Sequence, residues 1–409
     1  MDKLEKYASA VVRIGVNIQK GQKLAIMCPV DCAYFGRLLM EQAYKAGAED
    51  VMIRWNDEKS ARIDYLLAPD SNFGNEYDYE HALIKHLTDE NYNVISVVAS
   101  DPEILNGVDP ERITKNQKVG AKVRKPFSDN IMASNVQWTI AAIPSPAWAK
   151  KVFPQATSTE SAMEQMWEAI YTAARIDDND PIDNWKAHIA NLADKSKKLN
   201  DFNFKFLHFK NSKGTDLKIE FSPGHYWLAC GEKAKTGNNF VANMPTEEVF
   251  TAPHKDGANG IVYSTKPLVY MGDVIDEFWL KFENGKVVEY KAEKGHHLLE
   301  KLMTVEANSD RLGEVALVPH DSPISNSGIL WFNTLYDENA SCHLALGRAY
   351  PTTHRDTEGL SDDELSEKCG LNQSLTHNDF MIGSADMEIV GIKADGSEVQ
   401  VFSKGNFVI

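Results

Sequence analysis

The first half of the chain contains the stretch Lys23-Leu-Ala-Ile-Met-Cys-Pro-Val-Asp-Cys-Ala-Tyr-Phe-Gly-Arg-Leu-Leu-Met-Glu-Gln-Ala-Tyr-Lys-Ala-Gly-Ala-Glu-Asp-Val-Met-Ile-Arg-Trp55. It begins and ends with short, mostly apolar runs, at 23–28 and 50–55, which are typical of strands. Residues 32–46 have helical spacing, and Gly47 is well placed to end that helix. The stretch therefore predicts a strand, a helix and a second strand.

The same alternation continues on both sides of this stretch. A helical pattern at 3–17 precedes it, strand candidates follow at 94–98 and 138–143, and two long helical patterns lie at 158–174 and 183–199. Alternating helices and continuous apolar strands predict an α/β domain, with an open, mostly parallel sheet covered by helices on both faces.

Folds of this kind often bind nucleotides, so the segment after the first strand is informative. Residues 29–33 contain no glycine, and the chain has neither a G-x-G-x-x-G fingerprint nor a P-loop. A dinucleotide site needs such glycines because the backbone must approach the phosphates closely. The pattern argues against a dehydrogenase built on this half.

The second half has a different texture. Short strand patterns lie at 204–209, 217–221, 260–264, 278–282, 287–290 and 314–318, with one helical pattern at 297–303. They predict a β-rich α+β domain. Because 409 residues exceed one typical core, we expect two domains, at 1–200 and 201–409.

Composition narrows the class of protein and its partners. The net charge is −16, from 59 acidic and 43 basic residues, and such a surface repels a phosphate backbone. We therefore expect no nucleic-acid partner. No stretch approaches the ~20 continuous apolar residues of a membrane helix, so we expect no membrane contact.

The amino terminus and the cysteines point to a compartment. Residues 1–7 run directly into an amphipathic segment and lack the apolar core of a signal peptide. The five cysteines are an odd number without zinc-type spacing, which fits reduced thiols, and we expect Cys28 and Cys32 to be buried. Together these features predict a cytoplasmic protein.

Candidate metal ligands concentrate in the second half. Glu248 stands between two prolines, Glu314 opens a buried strand pattern, and His343 begins an otherwise apolar stretch. Each also has an ordinary explanation, such as a solvated carboxylate or a hydrogen-bonded core histidine. Glu338 lies in Asp337-Glu-Asn339, which equally describes a polar turn.

The triplet His377-Asn-Asp379 is more informative. On a strand, positions i and i+2 face the same side, so this imidazole and this carboxylate would converge on one point. Glu, Asp and His without clustered cysteine suit hard or borderline divalent cations at a site that also holds water. The hypothesis that follows is a hydrolase with two metal ions.

Four longer blocks carry a resemblance to a known family. They are Asn243-Met-Pro-Thr-Glu-Glu-Val-Phe-Thr-Ala-Pro253, Leu312-Gly-Glu-Val-Ala-Leu-Val318, Asn333-Thr-Leu-Tyr-Asp-Glu-Asn-Ala-Ser-Cys-His-Leu-Ala-Leu-Gly-Arg-Ala-Tyr350 and His377-Asn-Asp-Phe-Met-Ile-Gly383. In sequence, order and spacing the chain resembles the aminopeptidase T / aminopeptidase S family of dinuclear-metal aminopeptidases.

The resemblance implies a set of site residues. The metal ligands would be Glu248, Glu314, Glu338, His343, His377 and Asp379. Tyr350 matches the catalytic tyrosine of the family and would stabilise the oxyanion of the tetrahedral intermediate. We expect Glu314 to be a ligand and also to handle the proton of the attacking water.

The resemblance also implies partners and cofactors. We expect two divalent ions per chain, and mixed oxygen and nitrogen ligation accommodates Zn, Co, Mn or Mg. The substrates would be short peptides with a free amino terminus, and the chain would form a homodimer. Two rivals stay open: another dinuclear-metal amide hydrolase, and a non-catalytic metal-binding protein on the same fold.

Overall fold

The structure is a computed structural model that describes residues 2–99, 101, 103–271 and 273–409. It divides into two compact units, Met1–Ala187 with Gly231–Pro245 and His188–Cys230 with Thr246–Ile409. The segment Gly231–Pro245 comes from the half of the chain that the sequence assigns to the second domain. The predicted boundary at residue 200 concerns domains that fold independently, and it stays a prediction.

Twelve α-helices are numbered here in chain order. They are α1 Lys3–Ala10, α2 Ala33–Ala46, α3 Glu58–Leu67, α4 Asp78–Asp89, α5 Pro110–Met132, α6 Pro146–Val152, α7 Thr159–Ala173, α8 Pro181–Phe202, α9 His296–Thr304, α10 Pro323–Ser327, α11 Thr334–Asp337 and α12 Asp362–Lys368, all within the described residues.

The strands are numbered in the same way. They are β1 Lys23–Pro29, β2 Asp50–Asn56, β3 Asn93–Val98, β4 Trp138–Ala142, β5 Phe206–Lys210, β6 Asp216–Glu220, β7 Leu228–Ala229, β8 Gly231–Lys233, β9 Asn239–Val241, β10 Asn243–Met244, β11 Val249–Thr251, β12 Ala258–Tyr263, β13 Leu268–Tyr270, β14 Asp273–Glu283, β15 Lys286–Lys294, β16 Leu312–Leu317, β17 His343–Gly347, β18 His377–Met381, β19 Glu388–Ile392, β20 Glu398–Ser403 and β21 Asn406–Phe407.

The first unit contains a five-stranded sheet in the order β10-β4-β3-β1-β2, and every pair in it is parallel. The predicted α/β fold is therefore confirmed. The edge strand β10 comes from a segment about 100 residues beyond β4 in the chain. Its two residues belong to a block whose strand character the sequence did not reveal.

Helices cover both faces of this sheet, as predicted. On one face Ala25 of β1 joins a buried cluster with Leu87 of α4 and Phe127 of α5. On the other face α2 approaches so closely that a Cβ at Gly36 would lie 3.1 Å from the sulfur of Cys28. Gly47 ends α2 in the left-handed conformation, with φ of 101°, which confirms its predicted role.

The predicted helix at 3–17 is α1 followed by a π-helical turn, Val11–Gly15. That turn lies against the sheet: a Cβ at Gly15 would be 2.9 Å from the side-chain oxygen of Thr139 in β4. Both cysteines of the opening stretch, Cys28 and Cys32, are free and buried, as predicted.

The second unit is built on antiparallel sheets, which confirms the predicted β-rich fold. A five-stranded sheet has the order β18-β17-β16-β11-β7, and a larger one runs β13-β14-β12-β6-β5-β19-β20-β21, with β15 beside β14. The two sheets touch through Phe278 of β14 and Phe380 of β18, whose ring centroids are 5.8 Å apart. Among the described residues, no helix is both long and apolar enough to span a bilayer.

Candidate metal centre

One face of the antiparallel sheet β18-β17-β16-β11-β7 carries most of the predicted ligands, and we call it the ligand face. In the β16–β17–β18 register, Glu314 pairs with Ala345, and Ala345 pairs with Asp379. Directly paired residues of neighbouring strands point to the same side of a sheet. His343 and His377 have the same parity as Ala345 and Asp379, so they share this face.

The opposite face of the sheet explains why these strands form. It carries large apolar side chains that are almost completely buried, namely Val249, Val315, Leu317, Leu344, Leu346 and Phe380. Burial of such side chains stabilises the sheet by roughly 1.5–3 kcal/mol each. The sheet is therefore held in place by its apolar face, which leaves the ligand face available for chemistry.

The centre of the ligand face is lined by small residues. Ala316 pairs with His343, Ala345 lies between Glu314 and Asp379, and Gly347 pairs with His377. Because methyl groups and a glycine occupy these positions, the longer ligand side chains surround an open patch.

The first group of ligands consists of Glu248, Glu314 and His343. Nε2 of His343 lies 3.1 Å from Oε2 of Glu248 and 3.4 Å from Oε1 of Glu314. One ligand atom from each residue lies within 4.8 Å of the others, which is compact enough for one cation. Glu248 directly precedes β11, and Glu314 and His343 lie on β16 and β17.

The second group consists of Glu314, His377 and Asp379. Nε2 of His377 lies 3.3 Å from Oδ1 of Asp379 and 3.8 Å from Oε2 of Glu314. These ligand atoms also lie within 4.8 Å of one another. Glu314 therefore belongs to both groups and directs one carboxylate oxygen to each.

Both histidines are oriented by their second ring nitrogen. Nδ1 of His343 lies 3.1 Å from the carbonyl oxygen of Ser341, and Nδ1 of His377 lies 2.8 Å from that of Arg348. A carbonyl oxygen only accepts hydrogen bonds, so each Nδ1 must carry the hydrogen. Nε2 is then the nitrogen that faces the carboxylates, and once it has lost its proton it can coordinate a metal ion, which is the usual arrangement of a metal-binding histidine.

Glu338 lies beside the two groups without joining either of them. It begins the 3₁₀ turn Glu338–Ala340 and lines a cavity together with Asp379. The next residue, Asn339, connects this turn to the Glu248 segment: its Oδ1 accepts a 2.7 Å hydrogen bond from the backbone N–H of Glu247.

Tyr350 follows β17 and lies close to the second group. Its ring centroid is 5.0 Å from that of His377 and 6.4 Å from that of Phe250. Partial burial raises the pKa of its phenol, and the negative charges of Glu314 and Asp379 raise it further. The phenol therefore keeps its hydrogen at neutral pH and can donate it.

The centre carries more negative than positive charge, and this shifts the pKa values of its residues. Burial raises the pKa of Glu314 despite the opposing effect of His343. Burial also raises the pKa of Glu338 well above its usual range, and the neighbouring Asp379 carboxylate adds to this effect. Burial alone would lower the pKa of His343, but Glu248 and Glu314 outweigh it and raise that pKa well above its ordinary value.

These residues fit divalent cations. The four carboxyl groups of Glu248, Glu314, Glu338 and Asp379 exceed the charge that two protonated imidazoles could balance. Oδ1 of Asp379 is buried, and within the described residues its nearest polar contact in the site, Nε2 of His377 at 3.3 Å, does not have the geometry of a hydrogen bond. Buried charges of this kind are costly unless they are paired or coordinate a metal. Hard oxygen and borderline nitrogen donors together match Zn, Mn, Co or Mg.

Comparison with known proteins agrees with the geometry. Residues 1–407 match the family described as Thermophilic metalloprotease (M29). This chain belongs to the M29 metalloprotease family. It is therefore a hydrolase of the metal-dependent aminopeptidase class, and the predicted resemblance is confirmed.

Individual relatives cover nearly the whole chain. Aminopeptidase AmpS of Bacillus subtilis (strain 168) is 44% identical over 99% of this chain and 98% of its own length. Aminopeptidase 2 of Geobacillus stearothermophilus is 43% identical over 99% of this chain and 97% of its own length. The solved structure of wild-type AmpT from Thermus thermophilus superposes with a TM-score of 0.92 at 37% identity, covering 100% of this chain and 99% of that one.

The structure brings five of the six predicted ligands into the two groups and places Glu338 next to them. Sequence reasoning missed the supporting residues, above all Asn339 and the small residues of the ligand face. A signal for the latter was present: Glu314 and Ala316 alternate with Val315 and Leu317. Period-2 alternation of ligand or small residues with large apolar ones indicates a sheet with one chemical face.

Proposed function

We propose that this M29 enzyme removes amino-terminal residues from short peptides at a centre that would hold two divalent ions, with Glu314 contributing to both positions. The observation that carries the proposal is the position of Glu314. Its two carboxylate oxygens face different histidines, at 3.4 Å and 3.8 Å, and each histidine has a further carboxylate beside it. A carboxylate that belongs to both ligand groups would be able to serve two ions at once.

The ligands divide between the two positions. Glu248 and His343 would hold one ion, His377 and Asp379 the other, and Glu338 would complete a coordination sphere from its turn next to Asp379. When bound, such a pair of ions acidifies a water molecule and polarises the carbonyl of the scissile bond.

Two residues of the chain would handle the proton of the attacking water and the negative charge of the tetrahedral intermediate. Glu314 would also accept the proton of the attacking water, because it is the buried carboxylate that lies between the two ligand groups. The same proton can then pass to the leaving amine. Tyr350, whose phenol stays protonated, donates a hydrogen bond to the oxyanion of the tetrahedral intermediate.

The setting of the enzyme is part of the proposal. We propose that it acts as a homodimer in the cytoplasm on peptides with a free amino group. All five cysteines are free and buried, which is compatible with a reducing compartment. Light scattering after size exclusion tests the dimer: a mass near 45.7 kDa, that of one chain, would contradict it.

The activity test uses a panel of dipeptides and their N-acetylated counterparts. Metal-stripped protein is assayed first, and then the same protein after addition of Co, Zn or Mn. We expect release of amino acid from free-amine substrates only, restored by metal. Glu314→Gln should abolish it, whereas Glu398→Gln, the same substitution at an exposed strand position, should leave it unchanged.

Metal stoichiometry separates the rival functions. Two ions per chain with no turnover of any peptide would refute the aminopeptidase proposal and favour a non-catalytic metal-binding protein. Turnover of the N-acetylated substrates would favour another dinuclear-metal amide hydrolase. One ion per chain in an active enzyme would refute the bridging role of Glu314.

A further inference from the structure

A cavity of about 70 Å³ opens beside the metal centre. Glu338 and Asp379 line it on the side of the ligands. Its apolar lining comes from three separate segments and consists of Pro267, Leu268, Val269, Phe332 and Met381, and further polar groups come from Asn333, Thr334 and Asp337. A small concavity with both apolar walls and polar groups next to the ligands is typical of a site that receives a side chain beside a reacting group.

One wall of the cavity has an unusual backbone conformation. Phe332 has φ of 54°, in the left-handed region that bulky side chains rarely adopt. Such a conformation persists only where the surroundings hold it, and it is concentrated at functional sites.

Asp337 provides that hold. Its Oδ1 accepts a 2.7 Å hydrogen bond from the backbone N–H of Trp331, and its Oδ2 accepts one of 3.0 Å from that of Asn333. These two N–H groups flank Phe332 on either side. The two hydrogen bonds therefore hold the turn in the conformation in which Phe332 lines the cavity. The local sequence preference of a phenylalanine would not favour this conformation.

We propose that this cavity receives the side chain of the amino-terminal residue of the substrate, and that Phe332 sets the size limit. The inference rests on the proposed aminopeptidase function and specifies its substrate class. An engineered apolar cavity of about 150 Å³ holds benzene. The cavity here has about half that volume. It therefore suits aliphatic side chains of up to about four carbons better than an aromatic ring.

The test compares aminoacyl anilides with Ala, Val, Leu, Phe and Trp at the amino terminus. For the wild type we expect kcat/KM to be at least about tenfold higher for Leu than for Phe, since misfit in an apolar pocket has an effect of that size. Phe332→Gly removes the wall and also relieves the backbone strain, so the variant should fold. It should raise the Phe-to-Leu ratio of kcat/KM by about tenfold or more.

A second variant narrows the cavity instead. Val269→Phe should lower kcat/KM for Leu while leaving the Ala substrate nearly unchanged. The matched control is Lys404→Gly, which replaces another non-glycine residue of positive φ (50°) with glycine, in the turn between β20 and β21. It should leave the ratio as in the wild type. The assignment would be overturned if, with metal content intact, Phe332→Gly left the Phe-to-Leu ratio of kcat/KM unchanged and Val269→Phe left the Leu-to-Ala ratio unchanged.

Binding of free amino acids to the metal-loaded protein gives a readout that needs no turnover. Calorimetry should show tighter binding of leucine than of phenylalanine, with the order reversed or abolished in Phe332→Gly. This result without any peptide hydrolysis would refute the proposed function and support the cavity assignment. Hydrolysis with no dependence of binding or rate on side-chain size would refute the cavity assignment alone.

Discussion

The side-chain oxygen of Asn339 accepts a 2.7 Å hydrogen bond from the backbone N–H of Glu247. Each of these residues is adjacent in the chain to a proposed ligand, Glu338 on one side and Glu248 on the other. The amide group of Asn339 also donates a 3.0 Å bond to the carbonyl of Leu335, and the residue is completely buried. One side chain therefore holds two ligand-bearing segments in register.

Asn339→Ala should weaken metal binding without removing a ligand. Loss of a residue that orients ligands typically costs about 10–100-fold in metal affinity. The buried N–H of Glu247 and the carbonyl of Leu335 would also lose partners, at roughly 1–3 kcal/mol of folding stability each. Competition with a fluorescent chelator measures the affinity, and denaturant unfolding measures the stability.

The control for this variant is Asn259→Ala. Asn259 likewise accepts a backbone hydrogen bond, from Asn284 at 2.9 Å, but it is an exposed residue of β12 in the larger sheet. It should leave metal affinity unchanged. If both variants bind metal as the wild type does, the positioning role of Asn339 is refuted.

Glu306 performs a similar task for the strand that carries His377. Its Oε1 accepts 2.7 Å hydrogen bonds from Ser374 Oγ and from the backbone N–H groups of Leu375 and Thr376. Glu306→Gln weakens this three-fold acceptor next to His377. We expect kcat to fall by about tenfold, as for other residues that orient ligands.

The acid dependence of stability gives an independent readout of the same residue. Burial would raise the pKa of Glu306, but the bonds from Ser374 and Thr376 outweigh it and lower that pKa below its ordinary value. A lowered pKa means that the contribution to folding stability is present above the unfolded-state pKa, near 4.5, and is lost as the pH falls below it. Urea midpoints of Glu306→Gln should therefore decline less than those of the wild type below pH 4.5. Equal declines would contradict this assignment.

Metal uptake should release protons. Burial would lower the pKa of His377, but the adjacent Asp379 carboxylate outweighs it and raises that pKa to about 10 in the protein without cations. The imidazole is therefore charged at neutral pH and must lose its proton before Nε2 can coordinate. Each displaced proton makes apparent affinity rise by up to about tenfold per pH unit below that pKa.

Calorimetry in buffers of different ionisation enthalpy counts these protons directly. We expect at least one proton released per chain at pH 7, and stronger binding at pH 8 than at pH 6. His208→Gln is the control, because His208 pairs with Asp216 on a distant strand pair and should not change the count. Metal binding without proton release would show that His377 is neutral before the ion arrives.

The sequence contained enough to predict the α/β and β-rich fold classes and the convergence of one ligand pair. Local features are sufficient for these: Gly47 ends a helix by its own conformational freedom, and two residues two apart on a strand share a face wherever that strand lies. Hydrophobic periodicity and motif spacing extend over only a few residues, so they can be recognised in the sequence without knowledge of the fold.

Other features depend on how segments distant in the chain pack against each other, and they could not be predicted from the sequence. Whether Glu338 joins a ligand group depends on how its 3₁₀ turn lies against β18, and no local pattern encodes that distance. The role of Asn339 depends on a backbone N–H 92 positions away in the chain. Likewise, Asn243–Met244 became the edge strand β10 because an edge of the parallel sheet was available to it.

Ala345 provides the most direct test of the ligand face. It pairs with Glu314 on one side and with Asp379 on the other, so its methyl group lies on the patch between ligands that belong to both proposed ions. Ala345→Val places two additional methyl-sized groups near that patch. Because β-branched residues fit strands well, the sheet should tolerate the change better than the metal centre does.

We expect Ala345→Val to lose most of its bound metal, measured by elemental analysis after dialysis, and to lose peptidase activity in proportion. Ala292→Val, at another buried alanine on a strand of the same unit, controls for the general cost of overpacking, about 1–3 kcal/mol. It should keep both metal and activity. Full metal occupancy in Ala345→Val would show that the ions lie away from the row Glu314–Ala345–Asp379, and the bridging position of Glu314 would have to be abandoned.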